Sequence, residues 1–228
     1  MKNEINTVII FCRFPSEGKV KSRLAQDTGE KTAAECYRLC AEHTFDECRK
    51  LVRNNTVCCI FYSEKSEEDK IKNWVGPGFE FFPQNGIDLG AKMTGAFKKV
   101  AEKNAGKAIL IGTDIPDISA DILKGAFYKL DSADVVIGPA SDGGFYLFGA
   151  KRFVPGLFNG IKWGVGKVFG TVKRRLEEKN LKIGETAELI DIDTIDDVKL
   201  WLKNKSGNED SSLKLQINKL FSERMFNL

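Results

Sequence analysis

A chain of 228 residues is long enough for one large domain with a substantial buried core. Hydrophobic residues at 42% and charged residues at 29% exclude disordered and fibrous classes. Lys and Arg (35) nearly balance Asp and Glu (32), and a net charge of +3 gives no ground for a nucleic-acid partner.

No apolar run approaches the ~18 residues of a membrane span. The first residues are polar and then become β-branched, which predicts a first strand, Thr7–Cys12, rather than a signal peptide. A loop follows over Arg13–Lys21, with Pro15 and Gly18 as its turn residues. Thr32–Val52 carries a helical apolar stripe that includes Tyr37, Cys40, Thr44 and Cys48. Thr56–Tyr62 reads as a strand, Ser66–Trp74 as a short charged helix, and Phe79–Pro83 as an edge-like strand. Gly90–Asn104 is predicted helical, with Met93, Ala96, Phe97 and Val100 inward, and Lys107–Gly112 is another apolar strand. Ser119 suits the N-cap of a helix reaching Leu130, with Asp121 in its first turn. Strands are expected at Ala133–Gly138, Phe145–Ala150 and Glu188–Asp193, and helices at Val168–Asn180 and Ile195–Leu202. A polar linker, Asn204–Ser212, then leads to an amphipathic helix, Leu213–Met225, whose apolar side could make a homodimer contact or fold back on its own domain. The organisation expected is a domain over 1–203, with the linker and helix over 204–228.

Alternating strands and helices predict a three-layer α/β/α sandwich around a mainly parallel sheet, with ligands beyond the C-terminal ends of the strands. Four loops fall there. The first holds Arg13, Lys19, Lys21 and Arg23 around Gly18, a set of cations suited to phosphates and matching neither G-x-x-x-x-G-K-[ST] nor G-x-G-x-x-G. The second, Gln84–Met93, offers an amide and glycines that suit a nucleobase edge, although Asp88 could equally start a helix. The third puts Asp114 at a strand end with Asp117 three residues on, carboxylates suited to a hard cation that also takes phosphate oxygens. The fourth, Gly138–Gly144, is either a plain turn or an open surface for an acceptor. Further on, Asp191 and Asp193 alternate along a predicted strand and so face one side. The six cysteines contain no C-x-x-C pair and accompany a single His, so they read as small buried hydrophobes in a reducing, cytoplasmic setting.

In sequence order these segments carry Pro15-x-x-Gly-x-x-Lys-x-Arg-Leu24, Gln84-x-Gly-x-Asp-Leu-Gly-x-Lys-Met93, Ile111-Gly-Thr-Asp-Ile-Pro-Asp117, Gly138-Pro-Ala-x-Asp-Gly-Gly-Phe-Tyr146 and Ile192-Asp-Thr-x-x-Asp197. Taken together, they resemble the arsenosugar-biosynthesis or selenodomain-associated transferases (DUF2064-like) within the GT-A nucleotide-diphospho-sugar transferase superfamily. The resemblance implies phosphate contacts from Arg13, Gly18, Lys19, Lys21 and Arg23, and nucleotide contacts from Gln84, Gly86 and Asp88. It implies Mg²⁺ or Mn²⁺ at Asp114, with Asp117, Asp191 and Asp193 as further carboxylates, and an acceptor side at Asp142, Gly143, Gly144 and Trp163. The chain departs from the family where Trp163-Gly164-Val165 replaces a Trp-Ser-Thr stretch, and from the superfamily in lacking Asp-x-Asp at Asp114.

The function so implied is metal-dependent transfer from a nucleotide sugar to a small-molecule acceptor. With only one His in the chain, acceptor activation would fall to a carboxylate, Asp142 or Asp117. A nucleotidyltransferase joining an NTP to a phosphorylated acceptor is the near alternative, because four first-loop cations suit a triphosphate. A non-catalytic nucleotide- or sugar-binding module is the alternative from another class.

Overall fold

In the computed structural model, residues 5–52, 55–103, 105–164, 166–204 and 212–225 are described. Asn104, Val165 and most of the expected linker (205–211) lie outside them, as does the side chain of Met225. Seven strands, β1 (Ile5–Cys12), β2 (Thr56–Tyr62), β3 (Glu80–Pro83), β4 (Ala105–Ile111), β5 (Val135–Pro139), β6 (Phe145–Ala150) and β7 (Ile183–Glu185), form one sheet in the order β3-β2-β1-β4-β6-β5-β7. Every pairing is parallel except those of β6, which runs antiparallel to both β4 and β5. The expected mainly parallel sheet is therefore present, with β6 as its one antiparallel strand.

The central strands are near-continuous apolar runs because both sheet faces are covered. On one face, α2 (Glu30–Arg49), α3 (Glu68–Val75) and α5 (Ala120–Ser132) bury Val8, Ile10, Ile60, Ile109 and Leu123. On the other, α4 (Leu89–Ala101) and α6 (Val168–Glu177) pack over Ile9, Phe61, Leu110, Phe148 and Val172. A third apolar cluster joins α1 (Ser22–Thr28), α2, α7 (Ile195–Lys203) and α8 (Ser212–Met225) around Leu24, Cys36, Cys40, Ile192 and Trp201. All six cysteines are free and buried, and burial raises the Cys12 and Cys59 thiols to about 12, so they pack as small inert hydrophobes.

Two expectations change. Glu188–Asp193 forms no strand, only an isolated bridge from Leu189 to Ala140, and the sheet edge is instead the three-residue β7. The alternation survives without the pairing: Ile190 and Ile192 are buried in the third cluster while Asp191 and Asp193 turn the other way. Helix α8 lays Leu213, Ile217 and Phe221 on its own domain, next to α2. The apolar face that was a candidate dimer contact is thus already covered. Among the described residues no helix is long and apolar enough to cross a membrane.

Candidate active site

The C-terminal ends of β1 and β4, the end of β5 and the start of β6 open onto one cavity of about 520 Å³. The reversal of β6 matters here, because it brings its first residue, Phe145, to the rim where its neighbours end. Arg13, Lys21, Gln84, Asp114, Asp142, Gly144, Trp163, Asp191 and Asp193 all line this cavity.

Asp114 follows β4 by three residues, and its backbone carbonyl accepts from the Ile192 amide at 3.1 Å, tying the β4 end to the Asp191–Asp193 segment. Its carboxylate folds back over Gly112, where a Cβ would stand 2.8 Å from Asp114 Oδ1. Lys21 Nζ donates to Asp114 Oδ2 at 3.0 Å and lies 3.8 Å from Asp193 Oδ1, with only 8% of the Lys21 side chain exposed. Arg23 takes the other Asp193 oxygen at 3.0 Å. Burial opposes the charge on Lys21, but Asp114 and Asp193 outweigh it and lift its pKa above the ordinary lysine value. Beneath them, the buried Tyr37 hydroxyl accepts from the Arg13 amide at 2.9 Å and shares a 2.9 Å hydrogen bond with Thr113. Helix α2 thereby fixes two of the loops that form the floor.

Asp191 is raised from 3.8 to about 6 by burial, then by the negative charges of Asp142 and Asp114. A carboxyl raised in this way stabilises the fold in its protonated form. That contribution is complete below 3.8 and is lost as pH rises through about 6. Asp191→Asn should therefore melt with the wild type near about pH 4 and above it by about pH 7, in metal-free buffer. Parallel melting curves across that range would mean that neither burial nor its neighbours raise the Asp191 carboxyl.

The loop between β5 and β6 is held by its own turn, in which Asp142 Oδ1 accepts from the Gly144 amide at 2.6 Å. Gly143 has φ +85°, and a Cβ there would stand 2.2 Å from the Gly166 carbonyl oxygen, so only glycine lets the two loops meet. Beyond Asp142 the wall is aromatic, with Phe145 against Trp163 edge-on at 6.3 Å between ring centres. Phe145, Leu89 and Met93 line the cavity; each has a place in a motif, but sequence alone assigned none of them a role in the site. Tyr37 was legible only as a core position; its hydroxyl, which needs a partner when buried, was the available signal.

Several expected residues have other duties. Asp117 does not line the cavity: its Oδ1 accepts from the Trp201 indole at 2.9 Å, joining the β4 loop to α7, so it is removed from both the metal set and the acceptor-activating pair. Asp88 is the N-cap of α4, accepting from the Ala91 amide at 2.7 Å, and does not line the cavity. Lys19 turns away to Glu64 and Glu67, both at 3.6 Å, and Gly18 sits against Glu30. Gly86 and Gly143 support the loops without lining the cavity. Gln84 lines it, with its Nε2 donating to the Phe61 carbonyl at 2.8 Å, which leaves the amide oxygen to meet a ligand.

Among the described residues there is no group of three or more His, Cys, Asp or Glu side chains that could hold a metal ion. Asp114 and Asp193 nevertheless share a cation already, the Lys21 ammonium. Two carboxylates completed by substrate phosphates and water are the donor set that Mg²⁺ accepts, so the residues fit a metal shared with substrate rather than a closed protein cage.

A family model described as "Uncharacterized protein conserved in bacteria (DUF2064)" matches residues 44–165. The chain belongs to the DUF2064 family. No curated protein matches this DUF2064 chain in sequence. A solved structure from Desulfovibrio desulfuricans, described as a candidate nucleotide-diphospho-sugar transferase, is 30% identical over 96% of this chain and 98% of its own, with TM-score 0.87. The 4-diphosphocytidyl-2C-methyl-D-erythritol synthase of Anaerococcus prevotii shares the fold at 12% identity, covering 88% and 99% of the two chains, TM-score 0.58. Rv0371c of Mycobacterium tuberculosis, solved with manganese, does so at 14% identity over 87% and 97%, TM-score 0.50. The fold of this DUF2064 member is the one these nucleotide-diphospho-sugar transferase-like structures share.

Proposed function

We propose that this protein transfers a glycosyl group from a nucleoside-diphosphate sugar, with a divalent cation bound at Asp114 and Asp193. The observation that carries the reading is the disposition of the first-loop cations. Lys19 pairs with Glu64 and Glu67 outside the cavity, so Arg13 and Lys21 are its cationic lining against Asp114, Asp142, Asp191 and Asp193. That balance suits a diphosphate accompanied by a metal better than a triphosphate meeting a phosphorylated acceptor. A bound Mg²⁺ or Mn²⁺ would neutralise charge on the leaving diphosphate. Arg13 would hold phosphate oxygens, and Gln84 would accept a hydrogen bond from the base. Asp142, at the acceptor end, is the candidate to take the proton of an attacking hydroxyl. The Phe145–Trp163 wall would hold the sugar or acceptor ring and exclude water from one side.

The 30% identical relative described as a nucleotide-diphospho-sugar transferase supports this reading, and the manganese complex in the same fold supports the choice of metal. Calorimetry with UDP-, GDP- and CDP-sugars and the four NTPs, each with and without Mn²⁺, tests it. Mn²⁺-dependent binding of one nucleotide sugar is expected. Preference for an NTP over every nucleotide sugar would turn the reading to nucleotidyl transfer, and no nucleotide binding at all would end it.

A further inference from the structure

Lys21 combines three features that no structural role requires together. Its backbone is left-handed, φ 49° and ψ 50°; the other non-glycine residues with positive φ among those described are both asparagines, which tolerate it. Its stem is buried, and its ammonium ends between Asp114 and Asp193, the two carboxylates proposed to hold the metal. A strained backbone has thus been kept at the position that aims a long cation into the metal position.

We propose, building on the transferase reading above, that the Lys21 ammonium is an internal placeholder for the divalent cation. It pairs Asp114 and Asp193 in the free protein and withdraws from between them when metal and nucleotide enter. The electrostatics require some cation there: without Lys21, the four carboxylates lining the cavity would face Arg13, with Arg23 on one oxygen of Asp193, and Asp114 would keep no paired cation. They also forbid two, because an ammonium and a divalent ion competing for the same oxygens, at 3.0 and 3.8 Å from Nζ, repel strongly where water is partly excluded. The exchange has a path. Asp193 keeps Arg23 on its other oxygen, so it is not stranded when Lys21 leaves. The flexible four-carbon stem of lysine can carry the ammonium into the adjoining cavity, where it would meet phosphate oxygens.

Two measurements test this on the whole chain. Mn²⁺ binding in the absence of nucleotide, followed by electron paramagnetic resonance, should be at least about tenfold tighter in Lys21→Met than in wild type. Equal or weaker binding by the variant would overturn the proposal. Should the variant fold poorly, acetic anhydride labelling of wild type read by mass spectrometry replaces it. Lys21 should be several-fold more reactive at saturating Mn²⁺ than without it, while the exposed Lys124 stays constant; unchanged Lys21 reactivity overturns the proposal. A third arm separates this from the functional reading. If wild type binds Mn²⁺ with UDP-glucose but Lys21→Met gains no affinity for Mn²⁺ alone, only the placeholder fails. If wild type binds no nucleotide under any condition, the transferase reading fails with it.

Discussion

Asp114→Asn is expected to weaken Mn²⁺-dependent nucleotide binding at least about 100-fold, since even the residues that merely orient metal ligands are worth 10–100-fold. The same substitution should move the melting temperature of the metal-free protein by no more than roughly 4 °C. The two effects part because Asp114 has opposite relations to its neighbours. It attracts Lys21 at 3.0 Å and repels Asp191, so an uncharged isostere loses one interaction and is relieved of the other. Titration calorimetry with and without Mn²⁺, alongside thermal denaturation, reads both. Unchanged nucleotide affinity would move the metal to other ligands; a large fall in melting temperature would make Asp114 chiefly a structural partner of Lys21.

Phe221→Ala is the substitution expected to harm the fold most. Phe221 and Ile217 have no exposed surface, and they close the third apolar cluster from α8. Truncating a buried Phe costs about 3–5 kcal/mol, which for a domain of this size lowers the melting temperature by roughly 6–20 °C. Leu215→Ala, at a position 60% exposed on the same helix, should stay within about 0.5 kcal/mol of wild type and serves as the control. If the two variants melted together, α8 would not be docked as described. Damage at Phe221 should also reach the site, because α8 packs on α2 and α2 carries the Tyr37 hydroxyl that holds Arg13 and Thr113.

Much of this was open to inspection in the sequence. The runs at Thr7–Cys12 and Thr56–Tyr62 announce buried strands through their own β-branched residues, and the strand-end rule then gathers Arg13, Gln84, Asp114 and Asp142 at one rim. What stayed hidden depends on distant partners. Whether Lys19 faces substrate or solvent is decided by Glu64 and Glu67, and Asp117 is lost to the site only because Trp201 needs an acceptor for its indole. Local signals failed in two places for a different reason. The seven-residue α1 and the three-residue β7 are too short to show a period, whereas Glu188–Asp193 shows a strand's alternation while pairing at a single bridge. That alternation still delivered both aspartates to the correct side.

The inverted strand β6 has a further consequence for how such a protein can change. Had β6 run parallel to β5, residues 140–144 would have had to give way to a crossover of a dozen or more residues across the sheet. As a hairpin, this segment can change its open side chain with nothing to re-thread, while Gly143 stays seated against Gly166 and β1, β2 and β4 keep the Asp114 end of the cavity intact. The molecule is in effect a fixed handle with an exchangeable bit. Ser141, the one position between Pro139 and Phe145 that the shared motif leaves open, is where exchange between relatives should move acceptor preference without moving nucleotide preference.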